Sequence, residues 1–467
     1  MFGRSLSTSS INISFEEPPL DENKCEVESG DELNLNSSQY DRIGTLTELN
    51  DIKESEAVIK YIDKVKYYND YKVIKVLGAG SICKVKLVEK DNVKYALKIV
   101  NTTVLLKKKK FIQDENGKMK VTTPLEGILK EIAILKRVNH KNLVKLYEII
   151  HNRKKKKLYL VLEYCEHGDL MSFDEVTNKF TVNKHIFEKY LKDKDNPSDI
   201  DKLYYSESQI RNFIRQIIKG LNYLHRLGII HKDIKPNNIL LDKNNECKII
   251  DFNFSSILQK YWVDNIGKKV DCNDYFRPAE ICDLNDDSGR KDYKGMPVDI
   301  WAIGVTAYIL SYNKFPFYSE NDDLFELYDK INKADYTIPE RPKRSQYFKY
   351  FLKKCLEKDP NKRITSEQIL DMKWINHGEK EHLKHQCRRV TKLHLTKKEI
   401  NKNIFLFTTN YKDIEKLKND ERPSIRRISK KVMEKLPNMK DKKNLKIKIR
   451  IKSKEYINKA DEEDKKE

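Results

Sequence analysis

Asp233, Lys235, Asn238 and Asp251 are the residues of this chain whose types and spacing could do chemistry together. They lie in His231-Lys232-Asp233-Ile234-Lys235-Pro236-Asn237-Asn238-Ile239-Leu240 and, ten residues on, Asp251-Phe252. Asp233 is a carboxylate able to orient a hydroxyl and take its proton. Lys235 can neutralise charge on a transferring phosphoryl group. Asn238 and Asp251 offer hard oxygen atoms to Mg²⁺. A base, a phosphate-binding cation and two metal ligands are what phosphoryl transfer from a nucleotide requires. Upstream lie Gly78-Ala79-Gly80-Ser81-Ile82-Cys83-Lys84-Val85 and Tyr95-Ala96-Leu97-Lys98. Glycines let backbone N–H groups approach a phosphate closely because no Cβ intervenes. Taken singly, each of these residues reads as an ordinary turn, cap or surface residue.

The elements that must position them are legible as patterns. Short β-branched runs at 73–77, 84–88 and 95–100 predict a small antiparallel sheet. Apolar residues Ile128, Leu129, Ile132, Ile134 and Leu135 recur at helical spacing within 125–138, and 158–162 reads as a strand. Helical patterns dominate beyond Glu207. Two polar stretches, Thr102 to Pro124 with Lys107-Lys108-Lys109-Lys110, and Phe180 to Tyr205, are expected to be exposed loops.

From Tyr71 to about Ile375 the chain resembles the serine/threonine protein kinases. The resemblance implies an α+β bilobal fold with a small antiparallel β-sheet lobe (71–164) and a larger, mainly helical lobe (165–375). It implies transfer of the γ-phosphoryl group of ATP, with Mg²⁺, to a protein hydroxyl. Lys98 would contact the α- and β-phosphates and pair with Glu131, with Glu126 as the alternative partner. Leu77, Gly78, Ala79, Gly80, Ser81, Ile82, Cys83, Lys84, Val85, Ala96, Glu163, Cys165, Asp169 and Leu240 would line the nucleotide site. Asp299 is expected to bond the backbone of the Asp233 loop, and Glu280 with Arg363 to form a buried ion pair.

Pro124-Leu125-Glu126, Glu131-Ile132-Ala133-Ile134-Leu135-Lys136, His231-Lys232-Asp233, Val298-Asp299-Ile300-Trp301-Ala302-Ile303-Gly304-Val305-Thr306 and Asp359-Pro360-Asn361-Lys362-Arg363 narrow the resemblance. They are similar to the calcium/calmodulin-dependent protein kinase kinases and the liver kinase B group, upstream activators of other kinases. Asn237 stands where strongly basophilic kinases carry an acid, which argues against an arginine-directed specificity.

Departures from the family pattern are as specific. Cys83 replaces the third loop glycine, Asn253 replaces the glycine after Asp251-Phe252, and Pro278-Ala279-Glu280 inverts the usual order. Asn273 stands where a threonine is usual, and Asn253 is expected to tolerate a positive φ. These departures motivate the alternative of a pseudokinase scaffold. Residues 254–277 hold no threonine, so activation-loop phosphorylation is not the expected switch.

Charge is segregated along the 467 residues, whose net charge is +20. Residues 1–64 carry 6 Lys/Arg against 14 Asp/Glu and are read as a mostly disordered acidic head. Residues 378–467 carry 28 against 15 and form a basic tail. Within the tail, Thr396-Lys397-Lys398-Glu399 reads as a helix capping box. Ile425, Ile428, Val432 and Leu436 fall on one helical face among Arg426, Arg427, Lys430, Lys431 and Lys435, a pattern suited to a calmodulin-like partner at 424–436. The alternating Leu445, Ile447, Ile449 and Ile451 suggest an extended basic segment, but no recognition fold accompanies it, and nucleic acid is disfavoured as a partner. Eight cysteines without paired spacing favour reduced thiols in a cytoplasmic or also nuclear protein. No membrane anchor and no myristoylation start are expected, and acidic residues from Glu16 argue against a transit peptide.

Overall fold

In the computed structural model, residues 52–378 are described, except for 81–82, 114–118, 175–176, 178, 192–203, 259–272, 283–293, 320–322 and 334–335. The chain divides into the units Met1–Phe407 and Thr408–Glu467, and every described residue belongs to the first. The capping box, the 424–436 helix pattern and the 445–451 segment of the tail therefore lie outside the described residues.

Six strands open the described chain: β1 (Lys53–Glu56), β2 (Ile59–Ile62), β3 (Val65–Tyr68), β4 (Tyr71–Ala79), β5 (Cys83–Lys90) and β6 (Val93–Asn101). The first two lie within the stretch 1–64 read as a mostly disordered head, and strand structure begins there at Lys53. The acidic average over the head hid the run Val58 to Tyr68, rich in β-branched and aromatic residues. Its hairpin turn, Asp63-Lys64, takes φ of 48° and 65°, and Ile62 faces Val65 across it. Positive φ at both central residues matches the right-handed twist of the strands. Asp91-Asn92, with φ of 52° and 60°, closes the β5–β6 hairpin in the same way.

A second sequence block completes the sheet: helix α1 (Thr102–Lys107), hairpin β7 (Lys110–Gln113) with β8 (Met119–Thr122), helix α2 (Pro124–Leu135), and strands β9 (Leu146–Asn152) and β10 (Lys157–Glu163). The eight-stranded order is β1-β9-β10-β6-β5-β4-β3-β2. Every neighbouring pair is antiparallel except β1 with β9, which is parallel and departs from the all-antiparallel expectation. Buried Glu148 of β9 ties the added strands down, accepting hydrogen bonds from Ser55 Oγ at 2.6 Å and Tyr71 Oη at 2.9 Å. Glu54 of β1 pairs with Lys136 at the end of α2 and lies 3.3 Å from His151 Nε2.

Both polar stretches expected to be loops contain packed elements. Asn101 caps α1 by accepting from the Thr103 and Val104 N–H groups, and Leu105 is fully buried. Beyond β10 come β11 (Gly168–Asp169), β12 (Met171–Asp174), β13 (Lys179–Val182) and α3 (Lys184–Leu191). Phe180, Val182, Phe187 and Tyr205 are buried here. Tyr205 Oη donates to the Leu170 carbonyl at 2.6 Å and accepts from the Asn183 N–H at 2.9 Å. The polar average of the stretch concealed these anchors.

Helix α4 (Glu207–Arg226) starts at a capping box made by Ser206 and Gln209. It buries Ile210, Phe213, Ile214, Ile217, Ile218, Leu221 and Leu224. Short strands β14 (Ile229–Ile230), β15 (Ile239–Leu241), β16 (Cys247–Ile249) and β17 (Ser256–Ile257) follow, then α5 (Met296–Tyr312). Helix α5 is buried on all sides from Val298 to Tyr312. Around it stand α6 (Leu324–Lys333), α7 (Gln346–Cys355), α8 (Ser366–Asp371) and α9 (Lys373–Asn376). A Cβ on Gly304 would lie 2.8 Å from Leu356 Cδ2 and 2.9 Å from Cys355 Cβ, so this glycine lets the end of α7 reach α5. No helix among the described residues is long and apolar enough to cross a membrane.

Candidate active site

The segment after β14 is held from beneath. Asp299, in the first turn of α5 and fully buried, accepts the backbone N–H groups of His231 at 2.8 Å and Lys232 at 2.7 Å, and lies 2.9 Å from His225 Nε2. Lys232 takes φ of 66°, a turn that these two bonds hold in place. His231 accepts the Asp233 N–H at Nδ1 (3.3 Å), so its other nitrogen, 3.0 Å from the Ile250 carbonyl, is the one that carries hydrogen.

This scaffold presents Asp233. Its carboxylate receives Lys235 Nζ at 3.0 and 2.8 Å and Asn238 Nδ2 at 2.7 Å. Asn238 Nδ2 also donates to the Asp233 carbonyl at 2.8 Å. With its amide hydrogens committed to Asp233, Oδ1 is the atom that Asn238 can offer a cation. The β15–β16 hairpin, with Ile239 opposite Ile249, folds the intervening residues back, and the Ile250 N–H donates to the Asn238 carbonyl at 3.0 Å. Asn238 and Asp251, distant in sequence, thereby leave adjacent strand ends.

Asp251 itself takes the positive φ of this turn, 66°, and Asn253 is not among the positive-φ residues. The tolerance of positive φ expected of Asn253 is therefore not called upon. Asn253 instead donates to Asp251 Oδ1 from its backbone N–H at 3.3 Å and from Nδ2 at 2.5 Å. Phe252 is fully buried against His231, their rings 5.1 Å apart. Sequence reasoning passed over Gly127 of α2: a Cβ there would sit 3.0 Å from the Asn253 carbonyl oxygen. The available signal was a glycine inside a strong helical run, where it costs about 1 kcal/mol relative to alanine.

Lys98 of β6 reaches Glu131 of α2 at 2.9 and 2.8 Å. Both are buried. Of the two glutamates considered from sequence, Glu131 is the one that meets the lysine. Burial pulls the Lys98 pKa down, but the Glu131 and Asp251 carboxylates outweigh it and hold the value above the ordinary lysine range. The ammonium is therefore charged, and Asp251 stands within electrostatic reach of a residue from the small sheet.

The glycine-bearing turn closes with the Gly80 N–H donating to the Cys83 carbonyl at 2.9 Å, and Ala79 opposite Lys84. Ser81 and Ile82 at its tip lie outside the described residues. Among the described residues, a Cβ on Gly78 would meet no atom within 4 Å, and one on Gly80 only the Cys83 carbonyl at 3.9 Å. No described residue crowds these positions, which leaves room for a ligand against the backbone. Burial raises the Cys83 thiol pKa, Lys98 opposing and Glu131 and Asp251 adding to the effect. The residue that replaces a loop glycine is therefore held as the neutral thiol.

Leu77 is exposed on β4, Val85 faces Lys98 across β5–β6, and Ala96 lies between Leu87 and Leu162. The Glu163 carboxylate is engaged by Lys248 Nζ at 2.8 Å and the Lys145 N–H at 3.2 Å. Cys165 is buried, which pushes its thiol up to about 12. Asp169 pairs with Leu240 between β11 and β15, and burial raises its carboxyl pKa. Asn273 caps its own turn, accepting the Tyr275 N–H at 3.1 Å. Glu280 and Arg363 form a two-armed ion pair, both contacts 2.7 Å. A charged ammonium with carboxylates near the glycine-bearing turn, and an amide oxygen beside the Asp251 strand end, suit the phosphates of ATP and the oxygen preference of Mg²⁺.

The curled sheet, the helical layers and this grouping of residues are those of a protein kinase. A family model of the protein kinase domain matches residues 71–375, and the chain belongs to that family. Its relatives are of the serine/threonine type. The chain is 32% identical over 343 residues to the serine/threonine-protein kinase STK11 of Gallus gallus, covering 72% of this chain and 67% of that protein. It is 33% identical over 316 residues to STK11 of Rattus norvegicus, covering 67% of this chain and 62% of the relative. To the serine/threonine-protein kinase ssp1 of Schizosaccharomyces pombe it is 33% identical over 346 residues, 72% of this chain and 47% of the relative. The chain thus spans about two thirds or less of the length of these relatives.

Proposed function

We propose that this chain is an active serine/threonine kinase that transfers the γ-phosphoryl group of Mg-ATP to a protein hydroxyl, with other kinases among its substrates. One observation carries this reading: Lys98, Glu131, Asp233, Lys235, Asn238 and Asp251 are all present, Lys98 pairing with Glu131 within electrostatic reach of Asp251, and Asp233 holding Lys235 and Asn238. Lys98 holds phosphate oxygens while Glu131 fixes its ammonium. Asp233 orients the acceptor hydroxyl and takes its proton, and Lys235 offsets charge on the transferring group. Asn238 and Asp251 hold Mg²⁺, which when bound neutralises charge on the phosphates. The upstream role follows from resemblance to the liver kinase B and calcium/calmodulin-dependent protein kinase kinase groups.

The test is phosphate transfer by purified protein to a generic substrate, beside Asp233→Ala, Lys98→Met and Asp251→Ala. Each variant is expected to keep its thermal melt and lose transfer, since such electrostatic contributions amount to several kcal/mol. A folded wild-type protein without transfer would instead support the pseudokinase scaffold that Cys83, Asn253 and Asn273 motivate. A calmodulin-like partner at 424–436 and a cytoplasmic or nuclear placement rest on the sequence pattern alone.

A further inference from the structure

Along β6, Lys98 and Val100 face α2, while Leu97 and Ile99 face the other side of the sheet. That other side has its own apolar cluster, including Tyr68, Val88, Leu97, Tyr159 and Val161. The sheet curls so far that Tyr68 of β3 and Tyr159 of β10, with three strands between them in the sheet order, bring their rings to 4.9 Å. At one end of this curl lies a cavity of about 530 Å³, bordered by Gly80 and Cys83 of the glycine-bearing turn. Its base is apolar and aromatic (Ile99, Val104, Tyr68, Tyr159), and five lysines line it: Lys66, Lys84, Lys86, Lys155 and Lys157. Among the described residues none of the five has an ion-pair partner. Lys66 and Lys86 stand over the Tyr68 ring at 5.2 and 5.6 Å.

An apolar base rimmed by unpaired ammonium groups selects an acidic segment that also carries an apolar side chain. The chain has one within reach. Residues 1–51 hold 3 Lys/Arg against 11 Asp/Glu, and Phe15-Glu16-Glu17 and Leu20-Asp21-Glu22 set apolar side chains directly beside carboxylates. We propose that residues 13–22 of the acidic head dock in this lysine-lined cavity, the apolar side chain on the tyrosines and the carboxylates on the rim. Tether length allows it. About thirty residues separate Glu22 from Ile52, and a flexible chain of that length has a root-mean-square span of about 30 Å. Crossing from β1 to β5 requires about 19 Å at the usual strand spacing. Tethering raises the local concentration of the segment to about the millimolar range, enough for a weak ionic contact to be populated. This docking does not depend on the catalytic reading.

Zero-length carbodiimide cross-linking of the full-length protein at low ionic strength, read by peptide mass spectrometry, tests it. The expected links join Glu16, Glu17, Asp21 or Glu22 to Lys84, Lys86, Lys155 or Lys157. Their yield should be independent of protein concentration, fall with added salt, and vanish in a Lys86→Glu, Lys155→Glu, Lys157→Glu variant. Three outcomes in the wild-type protein would overturn the proposal: links from the head only to lysines after residue 378, links only between chains, or no links from residues 13–22. Because the wild-type pattern alone decides, the proposal stays falsifiable if the triple variant fails to fold.

Discussion

Asn253 shows how one side chain changes the logic of a turn. With the positive φ carried by Asp251, position 253 needs no glycine, and the asparagine amide becomes an extra donor that holds the Asp251 carboxylate. Asn253→Gly removes that donor but keeps the backbone path, so the transfer rate should stay within about tenfold of wild type, a change of roughly 1.4 kcal/mol. A steady-state comparison of the two proteins checks this. A thousandfold gain in the glycine variant would mean that the asparagine had disabled the site.

His140 carries a pH dependence. Burial, with the nearby Lys141, Lys219 and Lys248 adding to it, pushes this imidazole down from 6.5 to about 4. Its Nδ1 accepts the Asn142 N–H at 3.1 Å and its ring stacks on Tyr223 at 5.2 Å, contacts that suit the neutral form. The unfolded chain takes up a proton near 6.5 and the folded chain does not, so stability present above 6.5 is lost as pH falls toward about 4. In His140→Asn the slope of melting temperature against pH should flatten across that window, which thermal melts in a series of buffers can resolve.

At the scale of elements, α5 is the post against which the large lobe is built. It buries both its faces, supplies Asp299 to the Asp233 loop and receives Arg363, which donates to the Pro297 carbonyl as well as to Glu280. Gly304 sets how closely α7 approaches. A methyl group there meets Leu356 and Cys355 at less than 3 Å, and overpacking of this kind costs about 1–3 kcal/mol. That exceeds the roughly 1 kcal/mol that alanine gains over glycine inside a helix. Gly304→Ala should therefore lower the chemical-denaturation midpoint despite its better helix propensity, and a raised midpoint would mean that α7 yields freely.

Across the whole molecule, charge runs from an acidic head through the kinase domain to a basic tail. Without a threonine in residues 254–277, an intramolecular element is the natural alternative means of control. Truncation after Gly378 keeps the contact of Arg215 with the His377 carbonyl and removes the tail. If the 424–436 segment restrains the enzyme, the truncated protein should have the higher basal rate. Calcium with calmodulin should then raise the full-length protein to that level. Reversing charge at Arg426, Arg427, Lys430 and Lys431 should weaken the response most at low salt, since screening sets in over about 8–10 Å. Equal basal rates and no calcium response would remove the autoinhibition model and leave the kinase domain as it stands.

The family, the residues of the candidate site and the main helices were legible in the sequence because phosphoryl transfer demands particular atoms at particular spacings, and because amphipathic periodicity is a local property. Lys98, Glu131, Asp233, Asn238 and Asp251 could each be picked out by type and register. What the tertiary structure decided concerns contacts between distant segments. Strands at 53–68 exist because β1 finds β9 and β2–β3 extends the curled sheet, a pairing that no local average of an acidic head can reveal. Phe180 and Tyr205 turn a polar stretch into packed structure through a few anchors, which composition dilutes. The positive φ fell on Asp251 and not Asn253 because the turn is shaped by Phe252 burying against His231 and by Gly127 admitting the Asn253 carbonyl. Backbone torsion there answers to packing from three elements, and sequence spacing carries no record of it.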